Sequence, residues 1–124
     1  MPGELILLVE DNDNNRLLIR DVLQASGYHV IEAETAEDGV RMAAEQRPAL
    51  VLMDIQLPGM SGIEALQRLR ADPVTRAIPV VAVTASAMTQ DRRQIMAAGF
   101  DGYQSKPISV KSFLQTIREI LSSR

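Results

Sequence analysis

Leu50-Val51-Leu52-Met53-Asp54 is the stretch whose reading decides the fold: four apolar residues in succession, closed by a carboxylate and followed by the turn-forming Leu57-Pro58-Gly59. The run is too short for a helix of ordinary length. Its apolar residues are consecutive rather than alternating, so both faces of the segment seek burial, as in the middle of a parallel sheet. Outward from it, four more runs repeat the pattern: Leu5–Glu10, His29–Glu34, Pro79–Thr84 and Phe100–Ser105. The first and fourth are nearly continuous in apolar character and read as further interior strands. The second and fifth are more polar and read as edges.

Between these runs lie segments with helical signals. Asn14–Ser26 stops at Gly27, a residue suited to the left-handed turn after a helix. Thr35-Ala36-Glu37-Asp38 puts acids in a first turn, where they complement the helix dipole, and that helix runs to about Gln46 before Pro48. Ser61 with Glu64 three residues on forms a capping box for Ser61–Arg70. Met88–Ala98 ends at Gly99, and Val110–Leu121 follows a Ser109 cap. Strands and helices in strict alternation specify an α/β domain with a parallel sheet covered on both faces. In such sheets ligands bind beyond the carboxyl ends of the strands.

The bulk properties agree with one domain spanning 1–124. The chain has 124 residues, 46% of them hydrophobic, a formal net charge of −3 and no cysteine, which excludes disulfides and thiolate metal sites. No basic cluster is present, so a nucleic-acid partner is disfavoured. No apolar run is long enough for a bilayer and no signal-peptide layout opens the chain. A cytoplasmic protein with no membrane partner is expected.

The strand ends carry the chemistry. The first run ends in Glu10-Asp11, the third in Asp54, the fourth in Thr84, and the fifth leads into Lys106-Pro107. Three carboxylates gathered at one edge repel one another unless a cation neutralises them, and one lysine is not enough. The ligands on offer are all oxygens, which suits a hard ion such as Mg²⁺ (or Mn²⁺) with few protein ligands and several waters. The loop after Asp54 is placed to add a backbone carbonyl.

Together, Val9-Glu10-Asp11-Asn12, Leu52 through Gly62, Val83-Thr84-Ala85 and Ser105-Lys106-Pro107 resemble the receiver domain of two-component response regulators, and the resemblance covers the whole chain. Met53–Pro58, Ile78–Met88 and Ser105–Ser109 are similar to the stand-alone cell-cycle receivers of the DivK type. The resemblance implies a flavodoxin-like (βα)5 doubly wound sheet of five strands in the order 2-1-3-4-5, as in the chemotaxis regulators. It implies that Asp54 accepts a phosphoryl group from a histidine kinase or a histidine phosphotransfer protein. It further implies that Glu10, Asp11, Asp54 and the backbone carbonyl of Gln56 hold the metal, and that Lys106 pairs with a phosphoryl oxygen. Pro107 would follow a cis peptide bond. Thr84 would donate its hydroxyl to the phosphoryl group and, with Tyr103, carry the signal to the face of the fourth helix, fifth strand and fifth helix. Gln56 and Ser86 would flank the approach of water and tune the lifetime of the phosphate.

Plainer roles stand beside these. Asp54 could merely open the Pro58-Gly59 turn, the Glu10-Asp11 pair could only complement a helix dipole, Lys106 could be a solvated turn residue, and Thr84 an ordinary β-branched strand residue. Tyr103 could be a half-exposed edge tyrosine; His29, remote from the acids, reads as structural. In the first helix, at about 100° per residue, Leu18, Ile19, Val22 and Leu23 share one face. Leu17 falls opposite, where it could be an ordinary surface residue but is also well placed to meet a helical phosphodonor.

Three rival functions are weaker. A haloacid-dehalogenase-type phosphatase wants a second acid two residues after its nucleophile, where this chain has Gln56. A flavin mononucleotide binder needs a loop rich in Gly, Ser and Thr, where this chain has Glu10-Asp11-Asn12-Asp13. A degenerate receiver that only offers a surface would not need the complete residue set. The expectation is therefore a signalling domain, monomeric or weakly dimeric, rather than an enzyme acting on external substrates. With no effector segment after the last helix, its output would pass by contact to a downstream protein target.

Overall fold

A computed structural model describes residues 3–84, 89–105 and 108–123. The elements alternate without exception: β1 Leu5–Val9, α1 Asp13–Ala25, β2 His29–Ala33, α2 Ala36–Gln46, β3 Leu50–Asp54, α3 Gly62–Ala71, β4 Val80–Thr84, α4 Thr89–Ala97, β5 Gly102–Ser105 and α5 Val110–Ser122. The strands form one parallel sheet in the order β2-β1-β3-β4-β5, as the resemblance implied. The interior and edge assignments follow the hydropathy of the runs. β3 and β4 are buried at every residue and β1 at all but its first, whereas β2 and β5 are largely half-buried.

Alternate strand residues feed two separate cores. Leu7, Val9, Val51, Met53, Val80 and Ala82 pack with α2, α3 and α4 through Ala43, Leu66, Leu69 and Ile95. Ile6, Leu8, Leu50, Leu52, Val81 and Val83 pack with α1 and α5 through Ile19, Leu23, Phe113 and Ile117. Each fully buried side chain of this size stabilises the fold by roughly 1.5–3 kcal/mol, and the period of two means that a one-residue register slip would exchange the two cores.

Side chains cap the first turns of α1, α2 and α3. Asn12 accepts from the Asn15 amide at 3.0 Å, Thr35 from Asp38 at 3.1 Å and Ser61 from Glu64 at 3.2 Å, each satisfying a first-turn donor. Gly27, after α1, adopts φ 94°, a conformation open to glycine and costly for residues with a Cβ. Ser109 stands at the cap of α5 but makes no side-chain cap bond.

Some expectations are corrected. β1 ends at Val9, because Glu10 turns toward the site while its amide still donates to the Ala33 carbonyl at 3.0 Å. β5 begins at Gly102 rather than Phe100. Phe100 is buried in the core, and Asp101 uses both its amide and its side chain to close onto Val80. Leu18 is not part of the buried face of α1: it is 49% exposed, while Ile19 and Leu23 are buried and Val22 half-buried. The face centres on Ile19 and Leu23, and Leu18 sits about 100° round from Ile19, past the reach of the sheet. Leu17 is exposed, at 47%, as expected.

Candidate functional site

The register of the sheet assembles the site. Val9 of β1 is level with Met53 of β3, so the next residues on each strand, Glu10 and Asp54, come side by side at the carboxyl edge. β3 and β4 are aligned with Asp54 level with Val83, which puts Thr84 one residue further along the neighbouring strand. Thr84 is in turn level with Ser105 of β5. Four chain segments distant in sequence thus converge because parallel strands end together.

Glu10, Asp11 and Asp54 each bring a carboxylate oxygen within 4.8 Å of the others. Glu10 and Asp54 are buried and Asp11 is exposed, so the cluster forms a recess with one open side. Two unit charges 4 Å apart at an effective dielectric of 20 repel by about 4 kcal/mol, and three such pairs would penalise the ionised apo site heavily. A divalent cation reverses that sign. Adjacent oxygens on one octahedral Mg²⁺ at about 2.0–2.1 Å lie about 2.9 Å apart, so the three carboxylates would draw together by up to about 2 Å around such an ion. The donor set, all hard oxygen and two-thirds buried, fits such an ion.

The backbone around Asp54 is shaped for the same recess. The Gln56 amide donates to Asp54 Oδ1 at 3.0 Å, curling the chain back over the carboxylate and bringing the residue 56 backbone beside it. The Ile55 amide donates to the Val83 carbonyl at 3.3 Å, and the Gly62 amide to the Ile55 carbonyl at 3.1 Å. Gly62 is required by that approach. A Cβ there would fall far inside contact distance of the Asp54 carbonyl oxygen and only 2.9 Å from Ile55 Cα.

Thr84 is buried at the end of β4. Tyr103 is half-buried against the core shared with α3 and α4, and the Arg92 guanidinium lies 5.8 Å from the centre of its ring, within range of a cation–π attraction. Gln56 is exposed at the mouth of the recess, and His29 is exposed on an edge strand. Ala85, Ser86, Met88, Lys106 and Pro107 lie outside the described residues.

Three residues here carry roles that sequence reasoning did not assign. Gly62 was visible as a glycine directly after a cap, a position where glycine is unfavourable for the helix itself. Arg92 stands on α4 and meets Tyr103 only through the tertiary fold. Arg16 donates to the Glu10 carbonyl at 3.0 Å, a contact that no local pattern announces.

Comparisons with known proteins bear on the same surface. Residues 6–118 match the response regulator receiver domain family. The polar-differentiation response regulator DivK of Brucella anthropi is 47% identical over 116 residues, covering 94% of each chain, and that of Brucella ovis is 46% identical over the same share. Among solved structures, the receiver domain of a sensor histidine kinase from Pseudomonas aeruginosa, which has a magnesium ion coordinated in its active site cleft, superposes with a TM-score of 0.90. It is 34% identical, over 97% of this chain and 98% of that one. The signal receiver domain of a histidine kinase from Syntrophus aciditrophicus gives 0.89 at 26% identity, over 98% and 92% of the two chains. No helix among the described residues is long and apolar enough to cross a membrane.

Proposed function

Because this chain belongs to the response regulator receiver family, we propose that it is a phosphorelay switch whose phosphoacceptor is Asp54 and whose metal site is Glu10, Asp11, Asp54 and the Gln56 carbonyl. The observation that carries this is the approach of three carboxylates to within 4.8 Å at the carboxyl edge of the sheet, an arrangement costly in itself and suited to Mg²⁺ or Mn²⁺. Bound there, the ion would neutralise the acids and the oxygens of an incoming phosphoryl group.

The remaining work falls to the chain. An Asp54 carboxylate oxygen forms the new O–P bond as the N–P bond of a phosphohistidine breaks. The bonding pair passes to the imidazole nitrogen, which takes up a proton. The Gln56 amide, already bonded to Asp54 Oδ1, helps hold that carboxylate in place. Lys106 supplies a charged donor to a phosphoryl oxygen, and Thr84 supplies a hydroxyl. Gln56 and Ser86 flank the water that later hydrolyses the acyl phosphate. Movement of Thr84 toward the phosphoryl group alters the seat of Tyr103, and with it the α4–β5–α5 face presented to a downstream protein. The proposal takes 1–124 as one receiver domain, working in the cytoplasm as a monomer or weak dimer.

A small phosphodonor with Mg²⁺ should label the wild type, resolved as a retarded band on phosphate-affinity gels, and should fail to label Asp54→Asn. Labelling of the variant to the wild-type extent would reject Asp54. The donor is proposed to be a helical histidine kinase or phosphotransfer domain that meets exposed Leu17. Leu17→Ala should slow transfer from the cognate donor severalfold and leave labelling by the small phosphodonor unchanged; equal loss with both donors would remove Leu17 from the interface.

A further inference from the structure

The acidic pair has an anchor that the phosphoryl chemistry does not use. Arg16 lies in the first turns of α1, yet its side chain is only 16% exposed. Nη1 donates to the Glu10 carbonyl at 3.0 Å. Nη2 ion-pairs with Asp13 and stands 3.2 Å from the Glu34 carboxylate, while Nε is 3.8 Å from Glu32. Burial alone would lower the pKa of this guanidinium; the hydrogen bond and charge of Asp13, with the charges of Glu34 and Glu32, outweigh it and raise the pKa above the usual arginine value. The charge is therefore permanent.

Glu10 is consequently held at several points. Its amide donates to Ala33 of β2, its carbonyl accepts from Arg16, and its Oε2 accepts from the Asn12 amide at 3.2 Å. Arg16 is in turn fastened to the acids of β2 and its flank. The planar fork of a guanidinium can cap a carbonyl and keep an ion pair together. A lysine ammonium keeps the charge but not that fixed span.

We infer that Arg16 is a positioning residue that sets the divalent-cation affinity of the Glu10–Asp11–Asp54 site by fixing the Glu10 main chain against β2. This rests on the metal reading above. Loss of an ordinary surface ion pair would lower stability slightly and leave metal affinity unchanged. A partner that orients a metal ligand instead changes metal affinity, by about tenfold or more.

Removing the charge would also make the surroundings more negative and attract cations, opposing the positioning effect. The decisive variant is therefore Arg16→Lys, which keeps the charge. It is examined at about 0.3 M KCl, where the Debye length is below about 8 Å. Mg²⁺ affinity is read by titration of backbone amide shifts in ¹H–¹⁵N spectra, and folding by thermal melting in EDTA. Arg16→Lys should raise the Mg²⁺ dissociation constant about tenfold, and Arg16→Met should raise it at least as much at that salt. Arg20→Lys, whose guanidinium also pairs with Glu32, at 3.6 Å, should leave the constant within about twofold, as expected for a pair remote from the ligands.

Dissociation constants for Arg16→Lys and Arg16→Met within about twofold of wild type would overturn the inference, as would an equal rise in Arg20→Lys, since ordinary ion-pair loss would then explain it. Failure of the wild type itself to bind Mg²⁺ would instead strike the metal reading on which the inference depends.

Discussion

The two ends of the sheet treat charge in opposite ways. At the amino end of β4, Arg70 of α3 donates to the carbonyls of Arg76 and Ile78 at 3.0 and 2.7 Å, and its Nη2 lies 2.8 Å from Asp101. Asp101 Oδ2 also accepts from the Val80 amide at 2.8 Å. There one cation meets one anion, and the surplus donors are spent on loop carbonyls. At the carboxyl end, Glu10, Asp11 and Asp54 set like charges within 4.8 Å of one another. The same sheet thus has a fastened end and an electrostatically loaded one. The lesson is that one end of the sheet pairs opposite charges while the other gathers like charges that could hold a cation.

The contrast can be broken at several points. The largest effect is expected for Gly62→Ala, because the added methyl collides with backbone rather than with a flexible side chain. Overpacking of this kind costs up to about 3 kcal/mol, and the displaced Asp54 should also label much more slowly; urea unfolding and phosphodonor labelling measure the two losses. A variant with wild-type stability and labelling would show that α3 does not need this approach.

Next is the response of the loaded end to metal. A divalent ion at 100 times its dissociation constant stabilises the fold by about 2.7 kcal/mol, so Mg²⁺ should raise the melting temperature and EDTA should reverse the rise. Asp54→Asn removes one charged ligand and should blunt the shift. An identical Mg²⁺ response in that variant would place the ion elsewhere.

Arg70→Ala tests the fastened end. Hydrogen bonds to a charged group contribute up to about 3 kcal/mol, reduced by the partial exposure of this pair to about 1–2. The variant should unfold at lower urea and still label at the wild-type rate. Slowed labelling would mean that the two ends are coupled.

The smallest effect concerns Tyr28, just before the amino end of β2. Burial raises its phenol pKa above the usual value, the Glu4 charge adds to this, and Arg118 opposes it. The folded state therefore favours the protonated phenol. Its contribution is complete below the unfolded tyrosine value of about 10 and is lost as pH rises through the folded one. Tyr28→Phe should show a shallower alkaline loss of stability. An unchanged slope would assign that loss to other groups.

Much of this molecule was legible residue by residue. Leu50–Asp54 and Pro79–Thr84 announced interior strands because they are apolar without a break up to their closing Asp54 and Thr84, although the second strand begins one residue later, at Val80. Ser61 announced a helix start because capping is a local bond between residues three apart. Leu18 misled because its spacing is compatible with the buried face, and only the position of the sheet decides where that face ends. Gly62 and Arg16 escaped notice for a related reason: their partners, the Asp54 carbonyl and the Glu34 carboxylate, lie outside the reach of any local pattern.

The sequence by itself determined the alternation of elements, the apolar runs that bury them, and the presence of Glu10, Asp11, Asp54 and Thr84 at the ends of those runs. These are consequences of short-range geometry and hydropathy, which act within a few residues. The tertiary structure alone decided that three carboxylates come within 4.8 Å, that Gly62 leaves room for the Asp54 carbonyl, and that Arg16 spans from Glu10 to Glu34. Those facts depend on strand register and crossover packing, and register is an agreement between segments that no single segment contains.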